Sequence, residues 1–319
     1  MKFIVSSSYL LKHLSVVSGI ITSNPVVPIL ENILFEINNG NLLITASDLQ
    51  TTIMVEVQVE SKEDGSIAIP SKTLIETLKN LPEQPVTFSI DKESYNIEIN
   101  SDNGRYKLVG ENATDFPKIP EITDGYSTDI NSKNLINAIN YTIFAASNDE
   151  LRPAMTGIYF SLSKDSCTFV STDGHRMSLA EENIENSIVE SFTLPKRASI
   201  ELRKFIKDSE VVNIGVGKNF FICDDGQTSL LARLVDVKFP DYKQVLPTSF
   251  KNTIKIEKKQ LTDALQRASV VLQEKNKGVK IYIGENKMEI RSTSDDGETI
   301  EEVPVDKLTE PLDVGFNVK

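Results

Sequence analysis

The chain has 319 residues, 39% of them hydrophobic and 25% charged, and a net charge of −12. That length suggests two or three globular domains, and no run reaches the roughly 18 apolar residues that a membrane span needs. Taken as a sum, the acidic balance argues against nucleic acid, whose phosphates call for a basic surface.

Three amphipathic segments mark out the chain. The first runs from about Ser6 to Thr22, with Leu10, Leu14, Val17 and Ile21 on one face. The second runs from about Ser132 to Ser147, with Leu135, Ile139, Thr142 and Ala146, and the third from about Glu257 to Lys275, with Leu261, Leu265, Ala268 and Leu272. Each set has an i, i+4, i+7, i+11 spacing, which is one face of a helix. Leu10 and Leu135 are 125 residues apart, and Leu135 and Leu261 are 126 apart. A fixed period of this kind is the signature of an internal repeat.

The strands after each helix repeat too. Ile33–Ile37 and Leu42–Thr45, joined by Asn38-Asn39-Gly40-Asn41, read as a hairpin. Gly157–Leu162 with Thr168–Val170, and Val279–Ile283 with Met288–Ile290 around Gly284-Glu285-Asn286, are its counterparts. A polar elbow closes each hairpin: Ala46-Ser47-Asp48-Leu49, then Ser171-Thr172-Asp173-Gly174, then Ser292-Thr293-Ser294-Asp295. Ile67–Pro70 then leads into a helix at 71–81, and Phe192–Pro195 into one at 196–206, with proline at the helix start where a missing N–H costs little. Two strands come after each of these helices, turning at Asp102-Asn103-Gly104 and at Asp224-Asp225-Gly226. Linkers with proline near Ile119-Pro120 and Leu246-Pro247 separate the units. The expected domains are 1–122, 123–247 and 248–319, in an α+β fold of few helices and many antiparallel strands. The third unit reaches only the strand before its second helix, at Pro311–Phe316, and by the period roughly 50 residues of it are missing.

Charge is unevenly spread. The five helical segments together carry +7, which leaves −19 on the rest; residues 196–208 alone carry +3. Lysine and arginine are good helix formers, which is the bland explanation. The sharper one is a basic helical layer for a phosphate backbone on an otherwise acidic body. Phe3-Ile4-Val5 is too short for a signal-peptide core, so a cytoplasmic location is expected. Cys167 and Cys223 sit in apolar runs and fit buried thiols in a reducing compartment. His13 and His175 stand far from each other and from any Cys/His cluster, so neither metal nor cofactor is expected.

The run Ser171–Met177 holds Asp173, His175 and Arg176 together, and alone it invites a catalytic reading. Acid–base chemistry needs a positioned partner and a cleft. The other two elbows lack the histidine and arginine, and there is no Gly-rich phosphate loop and no paired metal-carboxylate motif of the kind used in nucleotidyl transfer. The non-catalytic reading is preferred.

Three similar units, with the strings Thr172-Asp173-Gly174-His175-Arg176, Phe239-Pro240-Asp241-Tyr242-Lys243-Gln244-Val245-Leu246-Pro247, Pro28-Ile29-Leu30-Glu31-Asn32 and Gly315-Phe316-Asn317-Val318, resemble the bacterial DNA polymerase III β subunits, the sliding clamps. The resemblance covers the whole chain. It implies the DNA clamp fold, with three similar domains and an incomplete third. It also implies a head-to-tail homodimeric ring around double-stranded DNA, held without sequence preference. Such a ring is a processivity factor, a non-catalytic subunit of a DNA-directed DNA polymerase holoenzyme. Its partners would be the DNA polymerase III catalytic subunit, the clamp loader and other proteins with a clamp-binding motif. Carried over by position, a peptide groove would include Met155, Thr172, Gly174, His175, Arg176, Met177, Pro240, Gln244 and Val245; Gln244 stands where many members have arginine. DNA contacts map to Asn24, where a basic residue is common, and to Asn148, Lys196 and Arg197. The ring interface would pair Tyr106 and Leu108 with Val270 and Val271 of a second copy; for the valines, simple core packing is an equal alternative. The competing function is a soluble peptide-binding scaffold that never encircles DNA, against which the basic helices argue.

Overall fold

The fold is seen in a computed structural model that describes residues 1–120, 125–184, 189–273, 277–284, 286–305 and 311–318. The expected 122/123 boundary, the end of the third helical segment at Glu274 and Lys275, and Glu285 of the third hairpin turn lie outside the described residues.

Five α-helices occupy the expected places: α1 Ser7–Val17, α2 Ser71–Lys79, α3 Ser132–Thr142, α4 Lys196–Phe205 and α5 Lys258–Ala268. The first helix of each unit is capped by a side chain, which satisfies an otherwise orphaned N–H. Ser6 accepts from the Tyr9 N–H, Asn131 from Lys133 and Asn134, and Glu257 from Gln260. α2 and α4 start from Pro70 and Pro195. The expected first helices are shortened in the same way each time. After 11 helical residues the chain tightens into a 3-10 turn at Ser18–Ile20, Ile143–Ala145 and Ser269–Val271. It then becomes extended at Ile21, Ala146 and Leu272, so the fourth residue of each apolar face lies just past the helix.

Among the described residues the strands form one five-stranded, one eight-stranded and two four-stranded sheets, with every ladder antiparallel. The turn at Asn39 and Gly40 has positive φ at both residues (50° and 80°), the twist a two-residue hairpin favours. The pairing of the outer strands goes beyond the sequence pattern. The strand before the first helix pairs with those after the second: Lys2–Ser6 with Pro85–Ile90, and Tyr126–Asn131 with Val211–Val216. The two halves of each of these units are thereby interlocked, and Phe3 stacks on Phe88 at 4.6 Å in the shared core. Among the described residues one ladder also joins the first two units. Thr51–Gln58 pairs with Thr228–Arg233, Leu230 opposite Ile53, and both of these residues are buried.

The chain divides into two compact bodies, Met1–Pro240 and Asp241–Lys319. In the second, α5 packs on the Lys287–Ser294 and Gly297–Pro304 strands over Val279, Ile281, Ile290 and Val303. Residues 252–257, which correspond to the strands ahead of α1 and α3, form no ladder. In the other units those strands are paired with segments beyond a second helix, and a strand without a partner has nowhere to place its N–H and C=O groups.

The elbows share a turn chemistry. The hydroxyl ending the strand accepts an N–H two residues on: Ser47 from Leu49, Thr172 from Gly174, Ser294 from Asp296. The third elbow falls later than expected, at Asp295–Asp296, because its strands run on from Ser294 to Gly297. In the first two the backbone turns left-handed, at Leu49 (φ 73°) and Gly174 (φ 87°). Glycine meets that demand freely, whereas a side chain costs on the order of 1–2 kcal/mol. Gly174→Ala should therefore lose about 1 kcal/mol in urea unfolding, although its Cβ would meet only an Arg152 nitrogen at 3.4 Å. Leu49→Gly should shift stability in the opposite sense.

Candidate functional site

The second elbow is held by its own acid. Asp173 Oδ1 accepts from the backbone N–H groups of His175 (2.9 Å) and Arg176 (3.0 Å), and Oδ2 from Arg176 Nε (3.1 Å). Partial burial pushes the carboxyl up, but these donors outweigh it and hold its pKa below the usual carboxylate value. Asp48 at the first elbow takes the same two backbone bonds, from Gln50 and Thr51. Asp173 is therefore a turn-building residue. The His175 side chain beside it is exposed, and no nucleophile–base–orienter chain is assembled among the described residues.

The elbow forms one wall of an open pocket of about 330 Å³, shared with Ala146–Asp149, Arg152 and Lys196. The loop beyond Ile143–Ala145 is tied back by the Ser147 N–H, which donates to Met155 O at 2.9 Å. Met155, Thr172, Gly174, His175, Arg176 and Met177 therefore gather at one place; Met155 and Met177 are half-buried. The Arg176 guanidinium lies over the Phe144 ring, 5.7 Å from its centroid. Tyr141 and Phe144 are more than half exposed, and Leu179 is exposed on the edge strand Met177–Glu182. These three were missed in the sequence. Tyr141, in α3, and Phe144, in the 3-10 turn after it, lie off the regular apolar stripe of the segment, which was a readable sign of an outward-facing apolar surface. Pro240 is exposed at the end of the first compact body. Gln244 and Val245 belong to the second, where the Gln244 amide donates to Asp241 at 2.9 Å and Val245 is 70% exposed.

Lys196 and Asn148 come together. The Lys196 ammonium donates to Asn148 Oδ1 (2.8 Å) and Ala146 O (2.9 Å), both neutral acceptors. Burial and the neighbouring Arg176 lower its pKa, with Asp173 opposing. Arg197 is placed differently. Its guanidinium bridges the first two units, with Nη1 3.1 Å from Asp48 Oδ2 and Nη2 2.5 Å from Ile20 O. Next to it Glu201, 6% exposed and paired with Lys204 at 2.7 Å, abuts Gly19, where a Cβ would come within 2.1 Å of the carboxylate. Asn24 is exposed on another loop, left-handed at φ 55°, and its N–H donates to Glu31.

Tyr106 and Leu108 are half-buried on one face of Arg105–Val109, the outer strand of the five-stranded sheet. Val270, 80% exposed, is not core. Val271 is half-buried, and its carbonyl accepts from Ser294 of the third elbow at 2.6 Å. Among the described residues no group of three His, Cys, Asp or Glu side chains could hold a metal, and no helix is long and apolar enough to cross a membrane.

Comparison with known proteins agrees along the whole chain. Residues 1–120, 129–241 and 243–319 match the N-terminal, central and C-terminal domain families of the DNA polymerase III beta subunit. The beta sliding clamp of Vibrio cholerae is 30% identical over 322 residues, covering all of this chain and 88% of that protein; the Escherichia coli K12 clamp is 28% identical with the same coverage. The sliding clamp structure from Bacillus subtilis superposes with a TM-score of 0.93 at 25% identity, covering all of this chain and 87% of that one. A Pseudomonas aeruginosa clamp bound to griselimycin gives 0.91 at 26% identity, with the same coverage.

The two neighbouring bases should separate in a salt titration of duplex-oligonucleotide binding. Lys196→Gln should reduce the slope of log affinity against log salt by about one phosphate's worth, roughly 0.9. Arg197→Gln should leave the slope unchanged and lower the unfolding midpoint instead, because its charge already answers Asp48.

Proposed function

This chain belongs to the DNA polymerase III beta subunit family, and from that membership we propose that two copies close head to tail into a ring around duplex DNA. The family assignment makes it a sliding clamp, a processivity factor of DNA replication that carries no active site of its own. In the proposed ring, DNA is held by topology. A tethered polymerase then rebinds before it diffuses away, because tethering replaces bulk concentration with a high effective one. Contacts to the backbone need only be weak and blind to sequence, which allows sliding. Lys196, with Asn148 against its ammonium, is the contact best built for this, and Asn24 is a second. Arg197 follows Lys196 in α4 but commits its charge to the junction with Asp48. The ring would work in the cytoplasm, on chromosomal DNA.

The observation that carries the reading is the ladder between Thr51–Gln58 and Thr228–Arg233, which joins two copies of one unit edge to edge. An edge-to-edge joint repeated with rotation closes a ring when the rotation permits. The domains in this proposal are 1–122, 123–247 and 248–319.

We assign the surface around the second elbow to partner peptides. Half-buried Met155 and Met177 provide an adaptable apolar floor, and the exposed His175, Arg176 and backbone of Thr172–Gly174 supply a few polar contacts. The binding of griselimycin by the Pseudomonas aeruginosa clamp supports a ligand site in this fold. Partners would include the polymerase III catalytic subunit and the clamp loader.

Two measurements test these assignments. Loaded protein should stay on circular DNA through a high-salt wash and be lost when the circle is cut; equal loss from both forms would favour a scaffold that never encircles DNA. Met155→Ala and His175→Ala should each weaken a polymerase-tail peptide, by about tenfold for a buried contact, and leave retention on circular DNA intact. Unchanged peptide affinity would remove the groove from this surface.

A further inference from the structure

The pocket of about 330 Å³ beside the second elbow is lined by three cations, Arg152, Arg176 and Lys196, and by two carboxylates, Asp149 and Asp173. Both carboxylates are already committed. Asp149 Oδ1 accepts from the Leu151 N–H at 3.0 Å, and its Oδ2 lies 3.5 Å from Arg152 Nε. Asp173 accepts from two backbone N–H groups and from Arg176 Nε. Each arginine is thus anchored at Nε, and among the described residues the terminal nitrogens of neither fork have an acceptor. Arg152 Nη1 stands over Gly174, 3.4 Å from where a Cβ would lie. Two guanidinium forks on the wall of one small cavity make a receptor for a phosphoryl group.

Lys196 completes the wall. Two of its three N–H donors go to Ala146 O (2.9 Å) and Asn148 Oδ1 (2.8 Å), and among the described residues no carboxylate pairs with it. The neutral amine can keep both bonds, and its lone pair then takes the third position. Burial and the Arg176 charge favour that neutral form, with Asp173 opposing. Crowding by a second cation is one way a lysine is made nucleophilic. Lys204 and Lys207, further along the same segment, lie outside the pocket. The Lys204 ammonium is paired with the buried Glu201 carboxylate at 2.7 Å, and Lys207 is exposed.

We propose that this pocket binds a small acyl phosphate and that Lys196 is acylated there, which switches off one contact to the DNA backbone. The switch rests on the reading of Lys196 as a DNA contact; the acylation does not. Arg152 and Arg176 hold the phosphoryl oxygens and leave the acyl carbon towards the amine. The nitrogen attacks that carbon, the N–C bond forms and the C–O bond to phosphate breaks. Phosphate leaves with the bonding pair and takes up the surplus amine proton. The products are an amide on Lys196 and inorganic phosphate. The amide carries no charge, so it no longer answers a DNA phosphate. A volume of about 330 Å³ is at the small end of ligand clefts and suits a molecule of few heavy atoms.

The experiment treats the full chain with acetyl phosphate and follows each acetyl-lysine by mass spectrometry over time. Lys196 should be modified at least about tenfold faster than Lys204 and Lys207, because the reactant is held beside it. Inorganic phosphate, added at constant ionic strength, should protect Lys196 and no other lysine. Arg152→Gln and Arg176→Gln should each slow the reaction at Lys196 by about tenfold, the loss of a charge-assisted bond, and leave Lys204 and Lys207 unchanged. Phosphate protection is read on the unaltered chain, so it holds even where an arginine variant disturbs the elbow. A rate at Lys196 no greater than at Lys204 and Lys207, or no selective protection by phosphate, overturns the acyl site. Protein acetylated at Lys196 should lose about 0.9 from its slope of log duplex affinity against log salt. An unchanged slope overturns the DNA contact at Lys196, and the switch with it, while the acyl site stands.

Discussion

The ladder between Thr51–Gln58 and Thr228–Arg233 is the interaction on which the rest depends. An exposed sheet edge is a row of unpaired N–H and C=O groups, ready to accept another strand. Here the edge is used within the chain. Pairing fuses two four-stranded sheets into one of eight, and it buries Ile53 against Leu230 beneath the helices. The junction is then stapled from above. Arg197 reaches from α4 to Asp48 and to the end of the first 3-10 turn, while the Glu201 carboxylate sits over Gly19, where a Cβ would meet it at 2.1 Å. A strand edge, a tightened helix end and an elbow together make a joint, and the protein is a succession of these parts.

Because the parts are repeated, the same local chemistry acquires different uses. All three elbows end their strand on a hydroxyl that accepts the N–H two residues on. The first elbow is covered by Arg197. The second stands open, with Arg176 laid over Phe144 and a pocket of about 330 Å³ beside it. The third is an exposed pair of acids. The Asp173–His175–Arg176 cluster belongs in this series. Its aspartate uses its acceptors on the turn, as Asp48 does, so what singles it out is exposure and not reactivity. Nothing about the cluster in one dimension distinguished a turn-building carboxylate from a general base; its hydrogen bonds do.

Much of this was written in the chain. The 125- and 126-residue periods, the helices, the hairpin at Asn39-Gly40 and the first two elbows could be read directly, because side-chain periodicity and turn residues act locally. The errors were local in origin as well. The helical stripe was extended to Ile21, Ala146 and Leu272, although the backbone tightens one turn earlier and becomes extended there. An apolar residue on an extended tail and one on a helix can bury the same face, so spacing alone does not find the end. For Val270, core packing and an interface were equal alternatives in the sequence, and it is 80% exposed.

The sequence by itself determined the repeat, the fold class and the helix positions, since each rests on neighbours within a few positions or on a fixed period; the residues assigned to the second elbow's surface came from the family resemblance. Only the tertiary structure decided which strands meet. Lys2–Ser6 joins strands from beyond α2, and Thr51–Gln58 joins a strand some 175 residues later. It also decided that Arg197 is a clasp between units while its neighbour Lys196 faces neutral acceptors. The physical reason is common to both. Backbone ladders and ion pairs between distant segments leave no periodic trace, because any extended strand offers the same amides and any arginine the same charge until the fold supplies the partner.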